Sequence, residues 1–281
     1  MLRISVIIVA GGGGTRMGGA IPKQFRLLGG RPVLAHTIDR FRRALPAAQL
    51  VVVLPAAHIA YWNDLKARFD VPAHTVVEGG AERFHSVCNG LAAVAYDAAV
   101  VGVQDAVRPL GSVELIRRAA AEAAQYGSAI PVVEAVDSYR CVDGAGGSRI
   151  LDRRALRIVQ TPQFFRRELL DRAYEQPYEA AFTDDASVVE ALGEAVHLCA
   201  GERRNLKLTT PDDLAIAAAL LEAEADAAAE AKASAETEPE AKADAATETT
   251  VASRPASAPT SAPSAAGEAA PENGSRNEPR A

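Results

Sequence analysis

Cysteine is scarce: Cys88, Cys141 and Cys199 are the only three in 281 residues, far apart and never in a C-x-x-C pair. That odd, scattered set makes neither a disulfide framework nor a zinc knuckle, and it fits a reducing cytoplasm. No apolar run approaches the length needed to span a bilayer, so no membrane partner is expected. The first residues lack the charged region and apolar core of a signal peptide and read instead as a strand entering a glycine loop. A basic excess is missing too. The net charge is −6, and the twelve acidic and five basic residues from Glu222 onward account for −7, which leaves the first 221 residues at about +1. Neither part carries the charge of a nucleic-acid binder.

The same C-terminal stretch lacks aromatics altogether, and Val251 is its only large aliphatic residue. Ala, Glu, Ser, Thr and Pro cannot bury enough apolar surface to offset the entropy of ordering, so Glu222 to Ala281 reads as a disordered tail. Its first part, to about Ala243, is made of good helix formers and could extend the preceding helix; Pro255, Pro259, Pro263, Pro271 and Pro279 oppose a helix beyond Arg254. On this reading residues 1–221 form one domain, and a chain ending at Glu222 keeps full activity.

What the chain does have begins at Ile4. Ile4, Val6, Ile7, Ile8 and Val9 make a buried strand that opens at Ala10 into four glycines, Gly11 to Gly14. Arg16 and Lys23 follow, with Pro22 fixing the backbone before the lysine. Such a loop exposes backbone N–H groups with no side chains in the way, and its two cations suit a polyphosphate. A plain surface loop with two solvated cations is the alternative. Two familiar phosphate loops are excluded. The dinucleotide fingerprint started at Gly11 or Gly12 ends on Arg16 or Met17, and the Gly13/Gly18 pair that fits P-loop spacing is followed by Gly19 and Ala20, not Lys and Ser or Thr.

Further on, strands are expected over Leu50–Pro55, His74–Glu78, Ala99–Val103, Ala129–Val133 and Val196–Cys199. Helices are expected over Pro32–Ala44, His58–Arg68, from Glu82 or Arg83, over Val113–Tyr126, after Thr183, and after Thr210 with Pro211 in the first turn. Alternating strands and helices make an α/β protein with a mainly parallel sheet, whose ligands bind at the C-terminal strand ends. There lie Gly80 and Ser86 in EGGAERFHSVCNGL, and Asp105 and Arg108 in QDAVRP, a pair suited to Mg²⁺ and phosphate or simply to each other as a helix-capping ion pair. Residues 134–156 read as a hairpin divided by a glycine turn. Asp184 and Asp185 stand at a helix start, where the dipole alone favours carboxylates.

AGGxGxRMG followed by PKQF resembles the nucleotidyltransferases that join a nucleoside triphosphate to a sugar or polyol phosphate, and the 2-C-methyl-D-erythritol 4-phosphate cytidylyltransferases in particular. GGAERFHSV, QDAVRP, QTPQFF and the segment around Lys207 carry the same resemblance. It implies a Rossmann-like three-layer fold with the hairpin as a dimerisation arm, and transfer of a cytidylyl group from CTP to 2-C-methyl-D-erythritol 4-phosphate with Mg²⁺ in a homodimer. It further implies that Ala10, Gly11 to Gly14, Gly80, Ser86 and Asp105 bind CTP, with Asp105 on the metal. Arg108, Ser138 and Thr161 are implied for the acceptor, and Arg16, Lys23, Arg153 and Lys207 for catalysis, Arg153 across the dimer. Gln104 and Val107 depart from the family's usual HDAARP, and Ser138 stands where threonine is usual. Ribitol 5-phosphate as acceptor, or a non-catalytic nucleotide-binding protein on this fold, would share the nucleotide-side motifs.

Overall fold

The computed structural model describes residues 2–11, 21–144 and 146–244, with side chains as far as Ser234. The first element is β1 (Ile4–Val9), which leads through the glycine segment to a short 3₁₀ turn over Lys23–Phe25. A two-residue ladder, β2 (Leu27–Leu28) with β3 (Arg31–Pro32), precedes α1 (Val33–Ala44). Then β4 (Gln49–Leu54), α2 (Ala56–Arg68), β5 (Thr75–Glu78), α3 (Arg83–Ala92) and β6 (Val100–Asp105) alternate as the periodicity predicts. The helix α4 (Val113–Tyr126) starts on Ser112, whose hydroxyl accepts from the Leu115 amide.

β4, β1 and β6 lie side by side and parallel, with β5 parallel beyond β4. Side-chain alternation makes three layers. Val6, Ile8, Leu50 and Val52 pack with α1, α2 and α4 on one face, while Ile7, Val51 and Val53 pack with α3 on the other. Gly90 lets α3 approach the sheet, since a Cβ there would stand 2.6 Å from the Ile7 side chain.

The second half departs from simple alternation. β7 (Ser128–Glu134) is followed by the hairpin β8 (Tyr139–Val142) and β9 (Ser148–Leu151), then by β10 (Arg157–Val159) and β11 (Gln163–Arg166). β11 inserts antiparallel between β6 and β7, and β10 pairs antiparallel with β7. The sequence signals missed β10 and β11 because neither exceeds two periods of alternation and Pro162 separates them. They also missed α5 (Arg167–Tyr174), which packs with α6 (Asp185–Glu190) on the α3 side of the sheet. β12 (Leu198–Ala200) pairs parallel with β7. The expected hairpin is there, and it exposes Val142 and Ile150.

The last helix, α7 (Pro211–Asp244), continues past Glu222 as the helix-forming composition allows, and the compact unit runs through Ala229 rather than ending at residue 221. Glu224 explains the difference. Its carboxylate forks onto the buried Arg40 and also meets Arg204 at 2.7 Å. Residues beyond Asp244 lie outside those described.

Candidate functional site

Three strand ends converge because the parallel register fixes them. Val9 is paired with Val53 on one side and with Asp105 on the other, so the glycine segment, the β5–α3 loop and the aspartate open on one edge of the sheet. Between them lies a cavity of about 280 Å³, lined by Ala10, Gly11, Lys23, Gly80, Arg83, Ser86, Asp105 and Lys207 among others. Gly12, Gly13, Gly14 and Arg16 lie outside the described residues.

Lys23 is held between two anchors. Before it, Ala10 donates its amide to the Val53 carbonyl at 2.9 Å. After it, the Gln24 side-chain amide donates to the Ala10 carbonyl at 2.9 Å, and Phe25 is buried with its ring stacked 5.9 Å from Trp62. Gln24 is therefore a structural clasp that ties the far end of the glycine segment to the strand it leaves.

On the opposite wall, the Gly80 amide donates to Ser86 Oγ at 3.1 Å, and that hydroxyl donates to the Glu82 carbonyl at 3.1 Å. Ser86 thus closes the turn before α3 from within the helix. Only glycine fits at position 80, where a Cβ would stand 2.3 Å from that of His85.

Asp105 forms the floor. The Thr161 hydroxyl accepts from its backbone amide at 3.0 Å. Lys207 Nζ lies 2.8 Å from Oδ2, Arg108 Nε 3.5 Å from Oδ2 and Arg83 Nε 3.7 Å from Oδ1. Burial alone would raise the Asp105 pKa, but Arg83, Lys207 and Arg108 outweigh it and hold the carboxyl at about 2. Lys207 reaches the floor because its neighbour Leu208 donates its amide to the Val107 carbonyl at 2.9 Å, and both side chains are buried in one apolar cluster. Gln104 donates to the Arg108 carbonyl at 3.1 Å and so ties down the Asp105–Arg108 turn.

Arg108 is anchored from one side: its Nη1 donates to the Asn205 carbonyl at 2.8 Å, and burial lowers its pKa. Arg153 and Ser138 do not line this cavity. Both are exposed beside the hairpin, Arg153 in a separate hollow with Arg154 and Arg157 and bonded to the Val136 carbonyl.

The residues that sequence reasoning passed over are Arg83 and Asp185. Asp184 caps α6 in a reciprocal capping box with Ser187, as a helix start requires. Asp185 does something else: it is fully buried, accepts from Arg83 Nη1 at 2.9 Å and Nη2 at 2.6 Å, and accepts from the Tyr174 hydroxyl at 2.6 Å. The arginine inside GGAER was the available signal, but nothing in the sequence pairs it with a carboxylate 102 residues later.

Cations and backbone N–H groups around one ionised carboxylate make a receptor for a polyphosphate and a second phosphate. No histidine is among the described residues lining the cavity.

The family model for IspD, 2-C-methyl-D-erythritol 4-phosphate cytidylyltransferase, matches residues 4–223. The enzyme of that name from Bacteroides thetaiotaomicron is 49% identical over 222 residues, 78% of this chain and 100% of the relative. The one from Geobacillus kaustophilus is 39% identical over 223 residues, 78% of this chain and 97% of its own length. The crystal structure of the cytidylyltransferase from Thermus thermophilus superposes with a TM-score of 0.62 at 34% identity, covering 78% of this chain and 98% of that one.

Proposed function

Because the chain belongs to the 2-C-methyl-D-erythritol 4-phosphate cytidylyltransferase family, we propose that it transfers a cytidylyl group from CTP to 2-C-methyl-D-erythritol 4-phosphate, a step in isoprenoid precursor synthesis. The products are 4-CDP-2-C-methyl-D-erythritol and pyrophosphate. The observation that carries this reading is the convergence of Lys23, Gly80, Ser86, Asp105 and Lys207 on one cavity at the C-terminal strand ends.

The acceptor is a phosphate monoester whose second pKa is about 6, so it arrives largely as a dianion and needs no base to activate it. One of its oxygens forms a bond to the α-phosphorus of CTP. The bond from that phosphorus to the bridging oxygen breaks, and pyrophosphate leaves with the electron pair. The difficulty is bringing two polyanions together, so the protein's work is positioning and charge neutralisation. Gly11 to Gly14 supply backbone donors to the triphosphate, and Arg16 and Lys23 neutralise the bridging oxygen and the α-phosphate. Gly80 and Ser86 receive the base. Lys207, Arg108 and Thr161, with Arg153 and Ser138 from the arm region, hold the attacking phosphate.

A magnesium ion fits only in company. Among the described residues no group of three His, Cys, Asp or Glu side chains forms a metal site, but Asp105 is an ionised carboxylate on the cavity floor. Mg²⁺ typically takes one or two carboxylates and completes its shell with substrate phosphates and water, so Asp105 is the residue to hold it. When bound, the ion neutralises phosphate oxygens. Lys207 would then leave Asp105 for the acceptor phosphate.

We assign Arg153 to the active site of a second subunit, reached through the hairpin, because it does not line its own chain's cavity and the hairpin leaves Val142 and Ile150 exposed. No described helix is long and apolar enough to cross a membrane, and a cytoplasmic location belongs to the same proposal.

The test is pyrophosphate release with CTP and Mg²⁺, using 2-C-methyl-D-erythritol 4-phosphate or ribitol 5-phosphate. Release with the methylerythritol ester alone is expected. Release with the ribitol ester alone would move the acceptor, and none with either, from protein that binds CTP, would refute the transferase.

A further inference from the structure

Asp185 is a carboxylate with no access to solvent, an expensive placement that a helix start does not require, since Asp184 already caps α6. Arg83 is also unfavourably placed: it opens α3, where the helix dipole disfavours a cation. Apolar residues of similar size would serve packing at least as well. What the pair does, and an apolar pair could not, is fix a guanidinium plane. Both terminal nitrogens of Arg83 are spent on Asp185, in a two-point fork of 2.9 and 2.6 Å. The remaining Nε edge lies 3.7 Å from Asp105 Oδ1.

We propose that Asp185 and Arg83 form a positioning chain for Asp105, in which the buried fork holds Arg83 against Oδ1 so that the carboxylate keeps its place on the cavity floor. Lys207, the cation nearest Asp105, is less well fixed. The Lys207 side chain is 45% exposed and sits on Oδ2, and it is the one assigned above to the acceptor phosphate. When Lys207 leaves, Arg83 still holds Oδ1 and does not have to move. Arg83 also lines the cavity between Gly80 and Ser86 on one side and Asp105 on the other, so the fork joins the two walls that meet the nucleotide.

This inference rests on the cytidylyl transfer proposed above. The two are separated by first measuring wild-type pyrophosphate release: a silent wild type indicts the function, and only variants measured against an active wild type bear on the chain. Asp185→Asn keeps the shape and an acceptor for Tyr174 but loses the charged fork. It should lower kcat about 10- to 100-fold, as loss of an outer partner does at other anchored sites, with the KM for CTP changed less than about threefold. In an Asp105→Asn background the same substitution should cost almost nothing, because the residue it positions is gone. Asp184→Asn, which keeps the helix cap, should leave kcat within about twofold. If Asp185→Asn does not fold, Arg83→Lys replaces it in the cycle, with a charge but no fork. Wild-type kcat in a folded Asp185→Asn or Arg83→Lys protein, a loss of equal size in the Asp105→Asn background, or an equal loss in Asp184→Asn would each overturn the proposal.

Discussion

Removing the Glu224 carboxylate should destabilise the domain although the residue lies in a stretch whose composition reads as solvated tail. Arg40 is 7% exposed, and its guanidinium is closed by Glu224 on both terminal nitrogens and by the Pro109 carbonyl at 3.3 Å. Glu224→Gln leaves that cation with a neutral partner. Breaking a buried pair on one side typically costs about 3–5 kcal/mol; the Glu224 side chain is 26% exposed, so water reaches the gap and about 2–3 kcal/mol is expected here. For a domain of this size that is a fall in Tm of about 5–10 °C.

The pH dependence has a definite sign. The hydrogen bond from Arg40, with the nearby arginine charges, lowers the Glu224 pKa from its ordinary 4.5. The contribution is therefore fully present above pH 4.5 and lost as pH falls through the depressed folded value. Calorimetric melts of wild type and Glu224→Gln at neutral pH and in strong acid measure both effects. A chain ending at Glu222 should show the loss at neutral pH, and Arg40→Met with Glu224→Met together should recover most of it. Equal melting temperatures at neutral pH, or a difference that persists unchanged in acid, would refute the reasoning.

Lys23→Ala should lower kcat by roughly 10²–10³-fold, the cost of one lost charge-stabilising donor, with an unchanged melting curve. Chelation of divalent cations should abolish pyrophosphate release and added Mg²⁺ should restore it; activity at full rate in chelator would remove Asp105 from metal binding. Mixing inactive Lys23→Ala and Arg153→Ala subunits should restore about one quarter of wild-type activity, because half the dimers are mixed and each mixed dimer has one intact site. No recovery on mixing would place Arg153 in its own chain's site or outside catalysis.

How much of this was legible in the sequence depended on whether the signal was local. Ile4 to Val9 announced a buried strand by composition alone, and the structure has it there. The helix expected over Val113 to Tyr126 has those bounds in the structure. β11 was invisible because Gln163 to Arg166 is too short to show a period, and its place between β6 and β7 is set by strands far away in the chain. Lys23 and Asp105 were legible as a loop cation and a strand-end carboxylate, whereas Gly80, Ser86 and Lys207 were found through motif resemblance, which reports residues but not their partners. The distinction between Asp184 and Asp185 shows the limit: two adjacent carboxylates in the same helix start, one serving the backbone and the other an arginine from the first half of the chain.

The antiparallel strand β11 has a consequence for how such a protein can change. Apart from Asp105, residues assigned to the nucleotide come from the chain up to α3, and those assigned to the acceptor, Thr161, Lys207, Ser138 and Arg153 among them, all come after β6. The two sets meet along the single seam where β11 lies against β6, with Asp105 at its end. Acceptor preference is therefore a property of one contiguous half. A graft of everything after Asp105 from a relative with another polyol phosphate should exchange the recipient while leaving the donor nucleotide untouched, so that in ancestry as in engineering the two substrates could be inherited separately.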